Sequence, residues 1–291
     1  MLSLHTNASS LSAQVSMGKT QSALSTSMTR LSTGYRINSA MDDAAGLQIA
    51  TRLKAQTSGM AVAMRNAQNA TSLMQTAEGS LSEVTNMLTR MKDLATQAAD
   101  ASSSTTDQDA MQAEFDALTG ELGNLMSNTT FGGTNLFNTG SGALATAGLT
   151  FQIGASSSET MTVDTTTALG DLDAALVAAS ANYDGAAGGA VSTGTELTTN
   201  ANGTIDLLST AIDAVGTVRS QLGAASNSLE HIYNNLSNMS TNVTQAAGRI
   251  TDVDYATETS NMTTQQMLMQ AGTSMLKQSN SMSQMVLSLM Q

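Results

Sequence analysis

One position in every seven of residues 205–253 reads Leu208, Val215, Leu222, Leu229, Leu236, Val243, Ile250. Three residues further on, the companion position reads Ala211, Val218, Ala225, Ile232, Met239, Ala246, Val253. Every position of this double stripe is apolar, and a sustained seven-residue repeat of that kind specifies a long helix with a narrow packing seam. At 1.5 Å per residue the helix is roughly 70 Å long. A matching run covers 53–98. It reads Leu53, Met60, Ala67, Met74, Leu81, Leu88, Ala95 on one position and Gln56, Ala63, Ala70, Ala77, Val84, Met91, Ala98 on the other, with Gln56 the single break. Two stripes of similar length predict a left-handed antiparallel coiled pair.

Both ends of the chain repeat the device more weakly. Residues 17–35 offer Met17, Leu24 and Leu31, with Gln21, Met28 and Tyr35 as companions. The last stretch, "MLMQAGTSMLKQSNSMSQMVLSLMQ", holds one charge, Lys277. It offers Leu268, Met275, Met282 and Leu289, with Ala271, Gln278 and Met285. Chain ends are usually polar unless something ties them down. The long seams are used on each other, so the sequence predicts tips that stay disordered alone and order in an assembly.

Between the long runs the pattern changes. Residues 107–127 read as a shorter helix with Met111, Phe115, Leu118, Leu122 and Leu125, and "TTFGGTNLF" marks a turn. "LTFQIGASSSETMTVDT" alternates Leu149, Phe151, Ile153 and then Met161, Val163, a small hairpin across "GASSSE". Residues 168–180 suit a short helix, and the Gly/Ser/Thr-rich run 182–203 reads as a surface excursion. Gly34 suits a helix C-terminus, and Ser39, Asp42 and Asp43 suit a helix start. The fold class is mainly α, long antiparallel coiled-coil helices with a small β-hairpin region. The divisions are 1–43, 44–165, 166–204 as a short variable surface region, 205–253 and 254–291.

Composition excludes several functions. The chain has no Cys, so disulfides and thiolate metal sites are out. Residues 101–210 carry twelve acids and no base, while both flanks are near neutral, which suggests a wet middle and ends that pack. No basic stripe supports nucleic-acid binding. No run is apolar enough to span a bilayer, and the first residues lack the features of a signal peptide, which by itself predicts a cytoplasmic protein. No catalytic, metal or cofactor constellation stands out. His5 and His231 read as solvated, and Asp42/Asp43 as capping residues rather than a metal or acid–base pair.

Two segments carry a resemblance. "QSALSTSMTRLSTGYRINSAMDDAAGLQIATRL" (21–53) resembles the N-terminal signature of bacterial flagellin, with Arg30, Leu31, Gly34, Arg36, Asn38, Ser39, Asp42, Asp43, Ala44, Ala45 and Gly46. "RITDVDYATETSNMTTQQMLMQAGTSMLKQSNSMSQMVLSLMQ" (249–291) resembles its C-terminal counterpart, with Asp252, Asp254, Ala256, Glu258, Gln270, Ala271, Gly272 and "VLSL". The resemblance implies N- and C-terminal helices that pack in a helical filament core, buried by neighbouring copies. Met17, Leu24, Met28, Leu31, Leu268, Met275, Met282, Met285 and Leu289 would then be the core-packing residues. It implies export in the unfolded state to the extracellular flagellum, which overrides the cytoplasmic expectation. It implies an export chaperone, filament cap and hook–filament junction proteins as partners, with no cofactor and no membrane insertion. "LTRMKDLATQ" resembles a surface read by Toll-like receptor 5, with Arg90, Leu94 and Glu114 as contacts, although Thr89 and Asp93 depart from the family pattern. The central region is short, as in a small, lateral-type flagellin. A hook–filament junction protein, with related ends, and a monomeric coiled-coil binding module are the competing readings. Self-polymerisation separates the latter from the filament subunit.

Overall fold

The computed structural model describes residues 7–138, 140–183 and 193–289, with side chains at 283, 284 and 286–289 left aside. The elements run α1 (Ala8–Thr33), α2 (Ala44–Ala98), α3 (Thr105–Asn128), β1 (Thr130–Phe131), β2 (Thr134–Asn135), α4 (Ala143–Thr146), β3 (Leu149–Gln152), β4 (Thr160–Val163), α5 (Thr166–Ala179), α6 (Glu196–Thr251) and α7 (Tyr255–Leu289). They divide into two compact units, 1–57 with 241–291, and 58–240.

The unit of residues 58–240 is built on the two seams. From Met60 to Ala98 every seam position of α2 is buried, and so is every seam position of α6 from Leu208 to Leu229. Six of the α2 positions are alanine, which lets the larger Leu and Val side chains of α6 sit close to the α2 backbone. The pair is antiparallel. Arg219 Nε and Nη2 both donate to Glu78 Oε1, at 2.9 and 2.8 Å, while Ala67 and Thr71 share one groove with Asn227 and Tyr233. The Arg219–Glu78 pair is half-exposed, so it fixes register more than it stabilises.

α3 packs on this pair through Met111, Phe115, Leu122 and Met126, with Leu118 and Leu125 half-buried at the edge. Its start is a capping box: Asp107 N donates to Ser104 Oγ, and Ser104 N donates back to the Asp107 carboxylate at 3.1 Å. "TFGGTN" closes as a two-residue hairpin, Phe131 opposite Thr134. Gly132 and Gly133 have φ of 59° and 84°, the left-handed pair that such a tight turn requires. The second hairpin pairs Leu149 with Val163 and Phe151 with Met161, as the alternation predicts. Its loop is closed by the Gln152 amide, which donates to the carbonyls of Gly154 and Glu159 at 2.9 and 3.1 Å.

Two expectations about the middle need correcting. Residues 166–204 are not simply a surface region: Leu169, Leu172 and Leu176 of α5 are buried in the common core. The excursion read over 182–203 is also shorter, because α6 begins at Glu196. That helix breaks at Asn200 (φ −153°, ψ 59°), whose side chain accepts from Gly203 N at 3.1 Å and restarts the helix as an N-cap. Residues 184–192 of that run lie outside the described residues.

The chain on either side of 184–192 is held by a buried polar clasp that the apolar periodicity does not reveal. Gln112 Nε2 donates to Asp116 Oδ1 (2.9 Å) and to Glu196 Oε2 (2.8 Å), and Gln112 Oε1 accepts from Leu197 N (2.8 Å). Asp116 also accepts from Asn182 Nδ2 and Gly194 N. Nearby, burial raises the pKa of the Tyr183 hydroxyl, an effect reinforced by the charge of Asp173.

The unit of residues 1–57 and 241–291 pairs α1 with α7, again antiparallel. Asn7 Nδ2 donates to Ser279 Oγ at 3.1 Å near one end, and Arg30 Nη1 lies 3.8 Å from Glu258 Oε2 near the other. The tips therefore have a partner within the chain, contrary to the expectation that they lack one. On α1 the covered positions include Ser10, Ala13, Met17, Thr20, Leu24, Ser27 and Leu31. On α7 they are Glu258, Met262, Gln265, Met269, Gly272, Leu276 and Ser279. Both sets keep the heptad spacing, but small and polar residues fill half of it, so the stripe is faint in the sequence. In the same unit Val243, Ala246, Ile250 and Val253 remain only half-buried, whereas in the other the α6 seam is fully closed from Leu208 to Leu229, with Ile232 half-buried and Leu236 buried beyond it.

Candidate functional site

The residues expected to pack in an assembly fall on two different faces of the α1–α7 pair. Leu24 is buried and Met17 and Leu31 are half-buried, on the positions of α1 that face α7. Met28, the expected companion, is exposed, as is Gln21. On α7 the expected stripe is the outward one: Leu268, Met275, Met282 and Met285 are all exposed, together with Met267 and Ala271. The side chain of Leu289 lies outside the described residues. At 100° per residue the outward stripe is centred roughly a third of a turn from the seam Met262–Met269–Leu276. α7 thus carries two apolar faces, one spent on α1 and one open. An open groove runs beside the second, between Ser9, Ser12 and Ser16 of α1 and Leu268, Ala271 and Met275 of α7. Small side chains on one wall and large flexible ones on the other suit the close approach of further helices.

A corner of short backbone pairings holds this pair. α1 ends at Gly34, φ 76°, whose N–H donates to Arg30 O at 2.9 Å, and a side chain there would meet the Tyr255 hydroxyl at 3.0 Å. Gly34 O accepts from Val253 N at 3.0 Å. Arg36 donates through its backbone and its Nη2 to the Thr251 and Ile250 carbonyls at the end of α6, placing a cation where the helix has unpaired acceptors. Asp42 accepts from Asn38 N and Ser39 N at 3.1 and 2.9 Å, and these backbone bonds, with the Ser39 hydroxyl, lower its carboxyl pKa. Asp43 Oδ1 accepts from Gly46 N at 2.8 Å and caps α2. Any side chain at position 46 would collide with Asp43 and Ile37. Asp254 caps α7 by accepting from the Thr257 hydroxyl at 2.8 Å and from Ala256 N at 3.0 Å, and these bonds lower its pKa. The signature residues of 30–46 and 252–258 are thus largely the parts of one corner; Asp43 caps α2 as expected, whereas Asp42 closes the turn at 38–42 instead of capping a helix.

The second candidate surface lies in the unit of residues 58–240. Arg90 Nε and Nη2 reach Glu114 Oε1 at 2.8 and 2.6 Å, an exposed pair joining α2 to α3. Arg90 therefore pairs across helices. Leu94 is a correction: it is buried in the core cluster, because it lies beside the α2 seam between Met91 and Ala95, and it cannot be a surface contact. His231 is exposed and His5 lies outside the described residues. Among the described residues no group of three or more His, Asp or Glu is placed to hold a metal ion, and no helix is long and apolar enough to cross a membrane.

The sequence matches the family models for the bacterial flagellin N-terminal helical region over residues 4–142 and the bacterial flagellin C-terminal helical region over 205–290. It is 39% identical over 170 residues to polar flagellin C of Vibrio parahaemolyticus, covering 58% of this chain and 43% of that one. It is 40% identical over 162 residues to the B-type flagellin of Pseudomonas aeruginosa, covering 56% and 32%. The chain thus spans less than half the length of these curated relatives. Among solved structures, a putative flagellar hook-associated protein from Vibrio parahaemolyticus superposes with a TM-score of 0.54 at 15% identity, covering 72% of this chain and all of that one, a likeness of fold alone. Bacillus cereus flagellin gives a TM-score of 0.46 at 29% identity, over 63% of this chain and 94% of that one.

Proposed function

The chain belongs to the bacterial flagellin family, a structural and not an enzymatic family, and from that premise we propose that it is a subunit of the flagellar filament. The supporting observation is the second apolar face of α7. Leu268, Met275 and Met282 are exposed on a helix already paired through its other face. Leaving that surface in water is unfavourable by an amount that grows with the apolar area, and many neighbours can cover it where one partner helix cannot. Copies of the same chain are the occupant. Their terminal pairs pack side by side, using the Ser9–Ser12–Ser16 wall for close approach. The filament is extracellular. Export in the unfolded state, an export chaperone, a filament cap and hook–filament junction proteins complete the reading by family membership.

The test is assembly of the full chain. Heat-dissociated protein, cooled with salt and filament seeds, is expected to pellet as filaments visible in negative stain. A folded chain that stays monomeric under those conditions contradicts the reading.

Recognition by Toll-like receptor 5 is the second element proposed, now resting on Arg90 and Glu114 without Leu94. An exposed ion pair contributes at most ~1 kcal/mol to the fold, so it can be removed without disturbing the helices. Arg90→Ala is expected to lower receptor-reporter activation about tenfold or more, an Arg at a contact centre being worth ~2 kcal/mol, with an unchanged thermal midpoint. Unchanged activation removes this element.

A further inference from the structure

The chain holds 20 methionines and no cysteine. Reversible two-electron oxidation of its side chains therefore falls on thioethers alone. The fold sorts these into two classes. Met60, Met74 and Met91, on the α2 seam, are at most 2% exposed. Met267, Met275 and Met282 of α7 are between 54% and 65% exposed. At 100° per residue these three lie within roughly 80° of arc, on the outward face they share with Leu268. The inner face of α7 uses Met262 and Met269 against α1, where both are half-buried.

We propose that Met267, Met275 and Met282 form an oxidation site that gates self-association, open to a peroxide in the unassembled chain and closed to it once α7 is packed. This rests on the filament reading, because copies of the chain must cover the face. In the step, a sulfur lone pair attacks one oxygen of hydrogen peroxide. The S–O bond forms as the O–O bond breaks. The departing hydroxide takes the proton from the transferred oxygen and leaves as water. Sulfur loses two electrons and the peroxide gains them, giving the sulfoxide. A thioether that packs against apolar side chains becomes a strong acceptor, and an apolar interface offers it no donor. The three side chains are exposed and lie off the seam that faces α1, Met275 at the edge of the groove beside it, so the α1–α7 pair survives the change, and loss is confined to assembly. Methionine sulfoxide reductases supplied with a dithiol return the thioether, the oxygen leaving as water while the dithiol closes to a disulfide, which makes the site reversible.

The test uses the full-length monomer treated with graded hydrogen peroxide and then quenched. Peptide mass spectrometry reads each methionine, sedimentation reads assembly and far-UV circular dichroism reads helix. Met267, Met275 and Met282 are expected to oxidise roughly tenfold faster than Met60, Met74 and Met91, following exposure. The pelleted fraction falls about tenfold with the helix signal intact, since buried acceptors without partners oppose packing, and treatment with the reductase restores it. The triple variant M267L/M275L/M282L is judged by its own treated-to-untreated ratio, which stays near one. In M41L that ratio falls as in the parent, because Met41, although 97% exposed, lies outside α7. Reductase rescue carries the test even where the leucine variant assembles poorly. Full pelleting of protein oxidised at all three positions overturns the proposal and leaves the filament reading standing. Equal loss in the triple variant does the same. Failure of the untreated chain to pellet, a separate arm, overturns the filament reading and this proposal with it.

Discussion

Leu222→Asp is expected to destabilise the unit of residues 58–240 by more than about 4 kcal/mol, and Met239→Asp by about 0.5 kcal/mol or less. The two positions belong to the same heptad stripe, and from sequence they are equivalent apolar seam residues. The structure separates them. Leu222 is buried within the α2–α6 core, whereas Met239 is exposed beyond the closed part of the seam. A carboxylate at 222 has no cation or donor within that apolar seam, so the whole desolvation cost appears as lost stability. Urea denaturation followed by circular dichroism reads both variants. Equal destabilisation would mean that the seam closes over its full length.

The second expected result concerns two adjacent residues of α7. Leu276→Asp is expected to melt the α1–α7 pair, removing helix signal up to that of the 26 residues of α1 and the 35 of α7. Met275→Asp is expected to leave that signal intact and to abolish pelleting. Leu276 is half-buried on the seam facing α1, and Met275 is exposed on the outward face. Helices of this length hold in water mainly through the face they bury, so a charge on that face costs the helix, while a charge on the open face costs only what would cover it. Circular dichroism and sedimentation on the same samples separate the two effects. Loss of helix in both variants would mean that α7 has a single packing face.

The contrast also shows what could be read from the sequence and why. The α2 and α6 seams were legible because their periodicity is strict over many turns: one polar residue, Gln56, interrupts both. The caps at Gly34 and Asp43 were legible because each has a local chemical reason to be where it is, whereas the Ser104–Asp107 capping box emerges only from the structure. The phase of α7 was not legible. Leu268, Met275 and Met282 make a stripe as apolar as Met262, Met269 and Leu276, and the inner one is diluted by Gln265, Gly272 and Ser279. Apolar periodicity alone finds both and cannot say which one the chain uses on itself. α1 hides its seam in the same way, with Ser10, Thr20 and Ser27 in packing positions. The Gln112 clasp was invisible for a different reason. Two of its partners, Glu196 and the Leu197 amide, lie more than eighty residues away, and a Gln beside an apolar stripe carries no signal of its own. Leu94 shows the converse error. Carried over as a surface contact by resemblance, it belongs to the core by its place beside the α2 seam.

Filament formation by this chain requires that other copies cover the outward face of α7. Sedimentation with negative-stain imaging of the full-length protein beside a chain ending at residue 266, both heat-dissociated and then cooled with salt and seeds, tests it directly. Filaments from the full-length protein and a soluble, folded 58–240 unit from the shortened chain are the predicted result. Filaments from both, or folded monomers from both, would contradict it.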